Sequence, residues 1–173
     1  MAKYKGSRDP QLVTIRRGGT LEDSEHRLLA TWAADCAEHV LNYFISQCPD
    51  DNRTQHAIEQ TRAWSRGEIL MTQAREAAYA AHVAAKETTG AARAAARSAG
   101  HAAATAHMAD HELGAAAYAI KAVRYDSPTP DEVGNIECNW QRNQLPKDIY
   151  DLVIIDQVNR NKKFWSFFDC KAE

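Results

Sequence analysis

Residues 74–122 read AREAAYAAHVAAKETTGAARAAARSAGHAAATAHMADHELGAAAYAIKA, and roughly half of them are alanine. Alanine has the highest intrinsic helix propensity and the smallest side chain among good helix formers. Helices of this composition can pack with their axes close together. A large polar side chain must then lie in a crowded groove between helices or on an exposed face. His82, His101, His107 and His111 are the clearest such side chains, and function is expected around them.

Outside this segment, apolar residues recur at the three-and-four spacing of amphipathic helices. Thr20, three residues before Asp23, predicts the N-terminal cap of a first helix. That helix is expected to continue to about Gln47, just before Pro49.

Two glycines predict where later helices end. Gly67 can adopt the left-handed conformation that ends a helix, so a second helix is expected to finish at Arg66. Gly114 costs about 1 kcal/mol relative to alanine inside a helix. We therefore expect a break between Asp110 and Gly114.

The pattern as a whole predicts an all-α fold, a single-domain bundle of about six to seven helices. Residues 1–19 are expected to form a short irregular N-terminal arm, and residues 20–173 the all-helical domain. Stacked helix pairs, as in an α-solenoid, are the second choice, because short histidine-containing similarities recur at unequal intervals.

Composition excludes several classes of protein. The net charge of −2 and the isoelectric point near 6.4 argue against a dedicated nucleic-acid binder. A mean hydropathy of −0.54, with no apolar run of about 18 residues, argues against a membrane protein. We expect a cytoplasmic protein with neither nucleic acid nor membrane as a partner. Its four cysteines form no CxxC pair, and in that compartment they are expected to be reduced thiols.

Polar side chains form a strip on each of two consecutive alanine-rich helices. If the turn at Gly90 is short, these helices run antiparallel and the strips face each other across a groove. The groove would suit an anionic or carboxylate group. The alternative is that its histidines serve structure by satisfying buried carbonyls. The groove residues are Arg75, Tyr79, His82, Arg97, His101, Thr105 and His107.

His107 and His111 are four residues apart, so they could bind a metal from one helix face. This is a weak alternative, because HxxxH arises easily by chance and the glutamate of a zinc-protease motif is missing. No metal, cofactor or catalytic residue is predicted, since the chain has no phosphate-binding glycine loop and no nucleophile motif.

The segment 128–156 is the most acidic part of the chain, with six acids against Arg142 and Lys147. These acids are either a solvated helix surface or a face for a basic partner. The acidic residues are Asp131, Glu132, Glu137, Asp148, Asp151 and Asp156.

A set of helix signatures between about Thr14 and Pro146 resembles one protein family. The signatures are RRGGTL at 16–21, HRLLA at 26–30, WAADCAEHVL at 32–41, Asp51 with Arg53, AI at 57–58, RAW at 62–64, AR at 74–75, AH at 81–82, AGH at 99–101, TAH at 105–107 and GAAAYAIK at 114–121. Together they resemble the immunity proteins of bacterial polymorphic toxin systems.

The resemblance implies an all-helical cytosolic protein that neutralises a cognate toxin by stoichiometric binding, without catalysis. The polar positions that match the family pattern are Arg27, Asp51, Arg53, Trp64, Arg75, His82, His101, Thr105, His107 and Lys121. The alternative function, from the residues alone, is a small-ligand or metal-binding helical protein, a sensor or an enzyme, that uses the His/Arg groove.

Overall fold

The computed structural model describes residues 6–171, and this part of the chain is a single all-α bundle of eight helices. The predicted fold class is confirmed. Apart from one isolated bridge between Thr14 and Leu21, the described residues contain no β-structure. The helices are α1 (Asp23–His39), α2 (Leu41–Gln47), α3 (Arg53–Ser65), α4 (Met71–Lys86), α5 (Gly90–Ala104), α6 (Glu112–Arg124), α7 (Pro130–Asn143) and α8 (Lys147–Arg160).

The expected first helix is two helices in the structure. The backbone leaves helical geometry at Val40 (φ −111°, ψ 6°), which separates α1 from α2. After this bend α2 packs on α5, and Phe44 becomes fully buried. The start of α1 also differs from the prediction. Thr20 donates its hydroxyl to the carbonyl of Pro10, and the backbone N–H of Glu22 donates to the Glu25 carboxylate at 2.8 Å.

Helix α5 is the centre of the bundle and contacts α1, α2, α3, α4 and α6. Between α1, α3, α4 and α5 the buried cluster is nearly all alanine, with Ile58 as its largest buried side chain. A second cluster contains the large apolar side chains Trp32, Phe44, Leu113 and Ile120. The alanine side chains let helices approach closely on one side of α5, while larger side chains fill the other side.

The glycine predictions have different outcomes. Gly67 follows α3 with φ +75°, as predicted. Gly114, in contrast, lies inside α6. The break comes earlier, between the end of α5 at Ala104 and a 3₁₀ turn at Ala109–His111. Position 114 is a glycine in a close contact, because the ring of His101 occupies the space where a side chain at this position would lie.

The N-terminal arm packs onto the bundle over its described part, from residue 6. It contains 3₁₀ turns at Pro10–Leu12 and Ile15–Arg17, and Leu12 and Val13 are buried. Arg8 forms a two-bond ion pair with Asp110, at 3.0 and 3.2 Å. The arm thereby covers the turn between α5 and α6.

The C-terminal segment after α8 is covalently attached to α7. Cys138 and Cys170 form a disulfide, so the expectation of four reduced thiols is wrong for this pair. The two cysteines are 32 residues apart, and only the return of the tail across α7 brings them together. Cys36 is a buried thiol whose pKa is raised well above its ordinary value by burial, and Cys48 is also unpaired.

None of the helices described between residues 6 and 171 combines the length and the apolar character needed to cross a membrane.

Candidate functional site

His82 of the α4 strip meets Arg97 and His101 of the α5 strip. The ring centroids of His82 on α4 and His101 on α5 are 5.1 Å apart, with the rings nearly perpendicular. Arg97 donates from Nη1 to Nδ1 of His82 at 3.2 Å, so that nitrogen carries no proton. The short turn at Gly90 makes α4 and α5 antiparallel, as predicted. The last residue of the α4 strip therefore lies beside the first residues of the α5 strip.

Each of these two histidine rings lies on a glycine of the next helix. A Cβ atom added to Gly100 of α5 would come within 2.6 Å of the His82 ring. A Cβ atom added to Gly114 of α6 would come within 2.5 Å of Nδ1 of His101. Both distances are shorter than real Cβ contacts, so the absence of side chains at these positions creates the space for the imidazoles.

Two more histidines extend the group across the turn that follows α5. Nδ1 of His101 and Nδ1 of His111 are 3.2 Å apart, and the His107 and His111 ring centroids are 5.4 Å apart. The ring of Tyr118 stacks on His101 at 5.3 Å. A hydrogen bond between two Nδ1 atoms needs one donor and one acceptor. One of these two nitrogens therefore carries a proton and the other does not. We call His82, His101, His107 and His111 the histidine row.

The histidine row is neutral at pH 7. Burial, followed by the nearby positive charges, lowers the pKa of His101 to about 3 and those of His82 and His107 to about 4. Burial is also the main reason that the pKa of His111 is below its ordinary value. The positive charge on this face therefore comes from arginine rather than from imidazolium.

The other predicted groove residues divide into exposed and buried positions. Arg75 is exposed, and Tyr79 is 60% exposed on the same face of α4. Thr105 is fully buried, so it does not line an open groove as predicted. Its hydroxyl donates to the carbonyl of His101, and its own carbonyl accepts a hydrogen bond from Nε2 of His26 at 2.6 Å. Thr105 thus holds the end of α5.

The predicted acidic surface also needs correction. Glu137 is buried, accepts a hydrogen bond from Gln141 and contacts Nδ1 of His39 at 2.8 Å. Asp156 is buried and paired with Arg160. Both acids lie on the inner faces of their helices, although their charge suggested exposure to solvent.

Four of the acids remain exposed: Asp131, Glu132, Asp148 and Asp151. They lie near the starts of α7 and α8 respectively, and α7 continues for 11 residues after Glu132. At 1.5 Å per residue, that part of α7 is about 17 Å long and separates the two pairs. They form two small acidic areas rather than one surface, and Arg124 neutralises Asp131 at 2.7 Å.

A buried charged cluster was missed by sequence reasoning. Glu112 at the start of α6 is fully buried beside Asp156, and Arg160 reaches both acids and the carbonyl of Asp110. The pKa of Glu112 lies well above its ordinary value because burial disfavours the charged form, with the hydrogen bond and charge of Asp156 adding to the effect. The spacing of Asp156 and Arg160 was visible in the sequence, but their proximity to Glu112 was not.

The metal alternative rests on His107 and His111 alone. Over residues 6–171, no three His, Cys, Asp or Glu side chains are grouped so that they could hold a metal ion. Two imidazoles supply half of the four ligands that a tetrahedral zinc site requires.

Comparison with known proteins supplies a family. Curated proteins and solved structures give no match. Residues 19–148 match the family described as Imm-5 like putative immunity protein, and this range contains α1 to α7 with the whole histidine row. The match covers well over half of the chain, and the chain therefore belongs to the Imm-5 like immunity protein family.

Proposed function

We propose that this protein neutralises a cognate bacterial toxin by binding it stoichiometrically, without catalysing a reaction. We also propose that the toxin contacts the exposed side of α4 where it packs on α5, a surface that carries Arg75, Tyr79 and Val83 and that we call the α4–α5 face. Family membership supports the immunity role. The location of the contact is argued from the side chains of α4.

The observation that carries the location is the exposure of Arg75, Tyr79 and Val83 on α4. Tyr79 is 60% and Val83 is 44% exposed, on a helix whose buried residues are all alanine. Tyrosine and arginine are enriched among the residues that dominate binding energy at protein interfaces. Because α4 packs closely on α5 through alanines, these side chains project from a rigid base, which lowers the entropy lost on association.

The histidine row supports the same face in a structural role. His82 bonds to Arg97 and His101 bonds to His111, and the rings of the row are neutral at pH 7. These contacts help to hold α4, α5 and α6 in register. In this proposal the row positions the exposed side chains and does no chemistry.

Co-expression with the toxin tests the proposal. The chain should restore growth of cells that carry the toxin and should elute with it as a complex in gel filtration. The double variant Arg75→Ala/Tyr79→Ala should weaken the complex by at least about a hundredfold, as expected when two central side chains are removed. A matched control is Arg66→Ala/Tyr150→Ala, because both residues are exposed and lie outside α4 and α5.

Two results would contradict the proposal. If no complex forms and growth is not restored, the immunity role fails. If a complex forms but the control variant weakens it as much as the α4 variant, the immunity role stands and the assignment to the α4–α5 face fails.

A further inference from the structure

A cavity beneath the N-terminal arm lies next to the histidine row but is separate from the α4–α5 face. It has a volume of about 380 Å³, within the range of small-molecule sites. Its walls come from the arm, the start of α1, the end of α3, the loop before α4, and the turn after α5. Only His107 is shared with the predicted groove.

The charge around this cavity is strongly unbalanced. Four arginines line it, Arg8, Arg16, Arg17 and Arg27, against a single acid, Asp23. Arg8 is neutralised by Asp110 and Arg16 by Asp23, each at 3.0 Å. The other two guanidinium groups have no acid partner among residues 6–171.

Arg17 and Arg27 are bonded only to backbone carbonyls among the described residues. Arg17 donates to the carbonyl of His107 at 3.1 Å, and Arg27 donates to the carbonyl of Ser65 at 3.2 Å. Each carbonyl orients its guanidinium but supplies no negative charge. A guanidinium has five N–H donors, so several donors of each group remain available to a ligand.

The floor of the cavity has a different character. It is lined by buried Leu12, Val13 and Ala109, with the half-buried rings of Trp64 and His107. Ile69 and Met71 add a further apolar wall. The site therefore combines a cationic, exposed mouth with a mainly apolar interior.

Two histidines offer polar atoms on the walls. Nδ1 of His107 is buried and has no hydrogen-bond partner within residues 6–171. His26 donates from Nε2 to Thr105, which leaves its Nδ1 as an acceptor when the ring is neutral. Both rings line the cavity, and a buried polar atom without a partner is destabilising.

We infer that this cavity is a binding site for an anionic group, a phosphate or a carboxylate, carried on a small apolar body. The anion lies between Arg17 and Arg27, which bind it through charge-assisted hydrogen bonds. The apolar body fills the interior against Trp64 and Ile69. The inference is independent of the proposed toxin contact on α4.

The binding of small probes tests the inference. Phenyl phosphate and benzoate are titrated into the full-length protein at low ionic strength by calorimetry, with inorganic phosphate as a probe that lacks an apolar body. At least one aromatic probe should saturate a single site and bind at least about tenfold more tightly than inorganic phosphate, since burying its ring adds apolar contact.

Substitutions in the cavity test whether the probe binds there. Arg17→Gln and Arg27→Gln should each weaken the aromatic probe by about tenfold or more, because each removes a charged donor. Arg66→Gln is the matched control, since Arg66 is an exposed arginine outside the cavity, paired with Glu68. Ile69→Ala should reduce the preference for the aromatic probe over inorganic phosphate. Circular dichroism of each variant checks that it is folded.

Failure to saturate with either aromatic probe overturns the inference, and so does binding that Arg17→Gln and Arg27→Gln leave unchanged. When the probe binds, adding it in excess to the toxin complex distinguishes two sources of the anion. If the complex dissociates, the anion that occupies the cavity is an acidic side chain of the toxin. If the complex persists, the anion is a free small molecule. A chain that binds the probe but no toxin would disprove the proposed function and leave this site standing.

Discussion

The imidazole of His101 on α5 occupies the space beside Gly114 on α6, where a Cβ atom would lie only 2.5 Å from Nδ1. His82 has the same relationship to Gly100, one helix earlier. Histidine and glycine therefore pack together twice across α4, α5 and α6. This pairing explains why a glycine lies within the otherwise alanine-rich part of each of two helices.

We predict that Gly114→Ala destabilises the protein. Alanine would gain about 1 kcal/mol in helix propensity, but overpacking a close contact costs about 1–3 kcal/mol, and His101 is held by His111 and Tyr118. The expected result is a net loss of unfolding free energy in urea. Gly134→Ala is the control, because its Cβ would meet only the side chain of Arg124, which can move. Equal or greater stability of Gly114→Ala would contradict the prediction.

We predict that the histidine row makes the protein less stable in mild acid. The folded-state pKa values of His82, His101 and His107 lie below the unfolded value of 6.5, so the unfolded chain binds more protons between them. Stability therefore falls as the pH drops below 6.5 and stops falling near pH 3 to 4.

Urea unfolding at several pH values between 4.5 and 7.5 measures this effect, with His101→Gln as the variant. The variant should lose stability less steeply with falling pH than the wild type. Glu112 acts in the opposite direction, since its raised pKa lowers stability as the pH rises above 4.5, so the difference between variant and wild type is the relevant quantity. His56→Gln, on the exposed surface of α3, should keep the wild-type slope.

We predict that Arg160→Gln is strongly destabilising. Arg160 compensates the buried Asp156 and contacts Glu112. Removing one partner of a buried ion pair costs about 3–5 kcal/mol, because the other charge is left uncompensated. Thermal and urea unfolding measure the loss. Arg66→Gln breaks an exposed pair with Glu68, and such pairs contribute about 1 kcal/mol or less. Similar losses in both variants would disprove the role of the buried cluster.

We predict that reduction of the disulfide lowers stability by about 2–4 kcal/mol, the usual contribution of a native disulfide. The disulfide holds the tail against α7, where Arg142 also donates to the carbonyls of Phe168 and Cys170. Unfolding with and without dithiothreitol measures the difference. The variant Cys138→Ala/Cys170→Ala should be insensitive to the reductant, whereas Cys48→Ala should respond like the wild type.

We predict that charge reversal at Asp148 and Asp151 leaves the affinity for the proposed toxin partner within about threefold of the wild type, because both acids lie near the start of α8, which packs on α1, and not on the proposed contact helix α4. Surface plasmon resonance at two salt concentrations measures association and dissociation. A large fall in the association rate would move the contact from the α4–α5 face to the start of α8.

Local sequence properties were enough to predict the helical fold and to bring His82 of one polar strip beside His101 of the other. Alanine propensity and three-and-four spacing are local properties, and a short turn forces consecutive helices to run antiparallel. His82 and His101 therefore come together with no long-range information. The same local reasoning placed a left-handed glycine at position 67, where backbone freedom alone decides the conformation.

Which polar residues are buried depends on how the helices pack. The sequence shows Thr105, Glu137 and Asp156 only as polar residues, whereas in the fold each of them lies against a residue of another helix. The pairing of Cys138 with Cys170 and the cavity beneath the arm join segments distant in sequence. Such contacts depend on the path of the whole chain through space, which local propensity and periodicity do not encode.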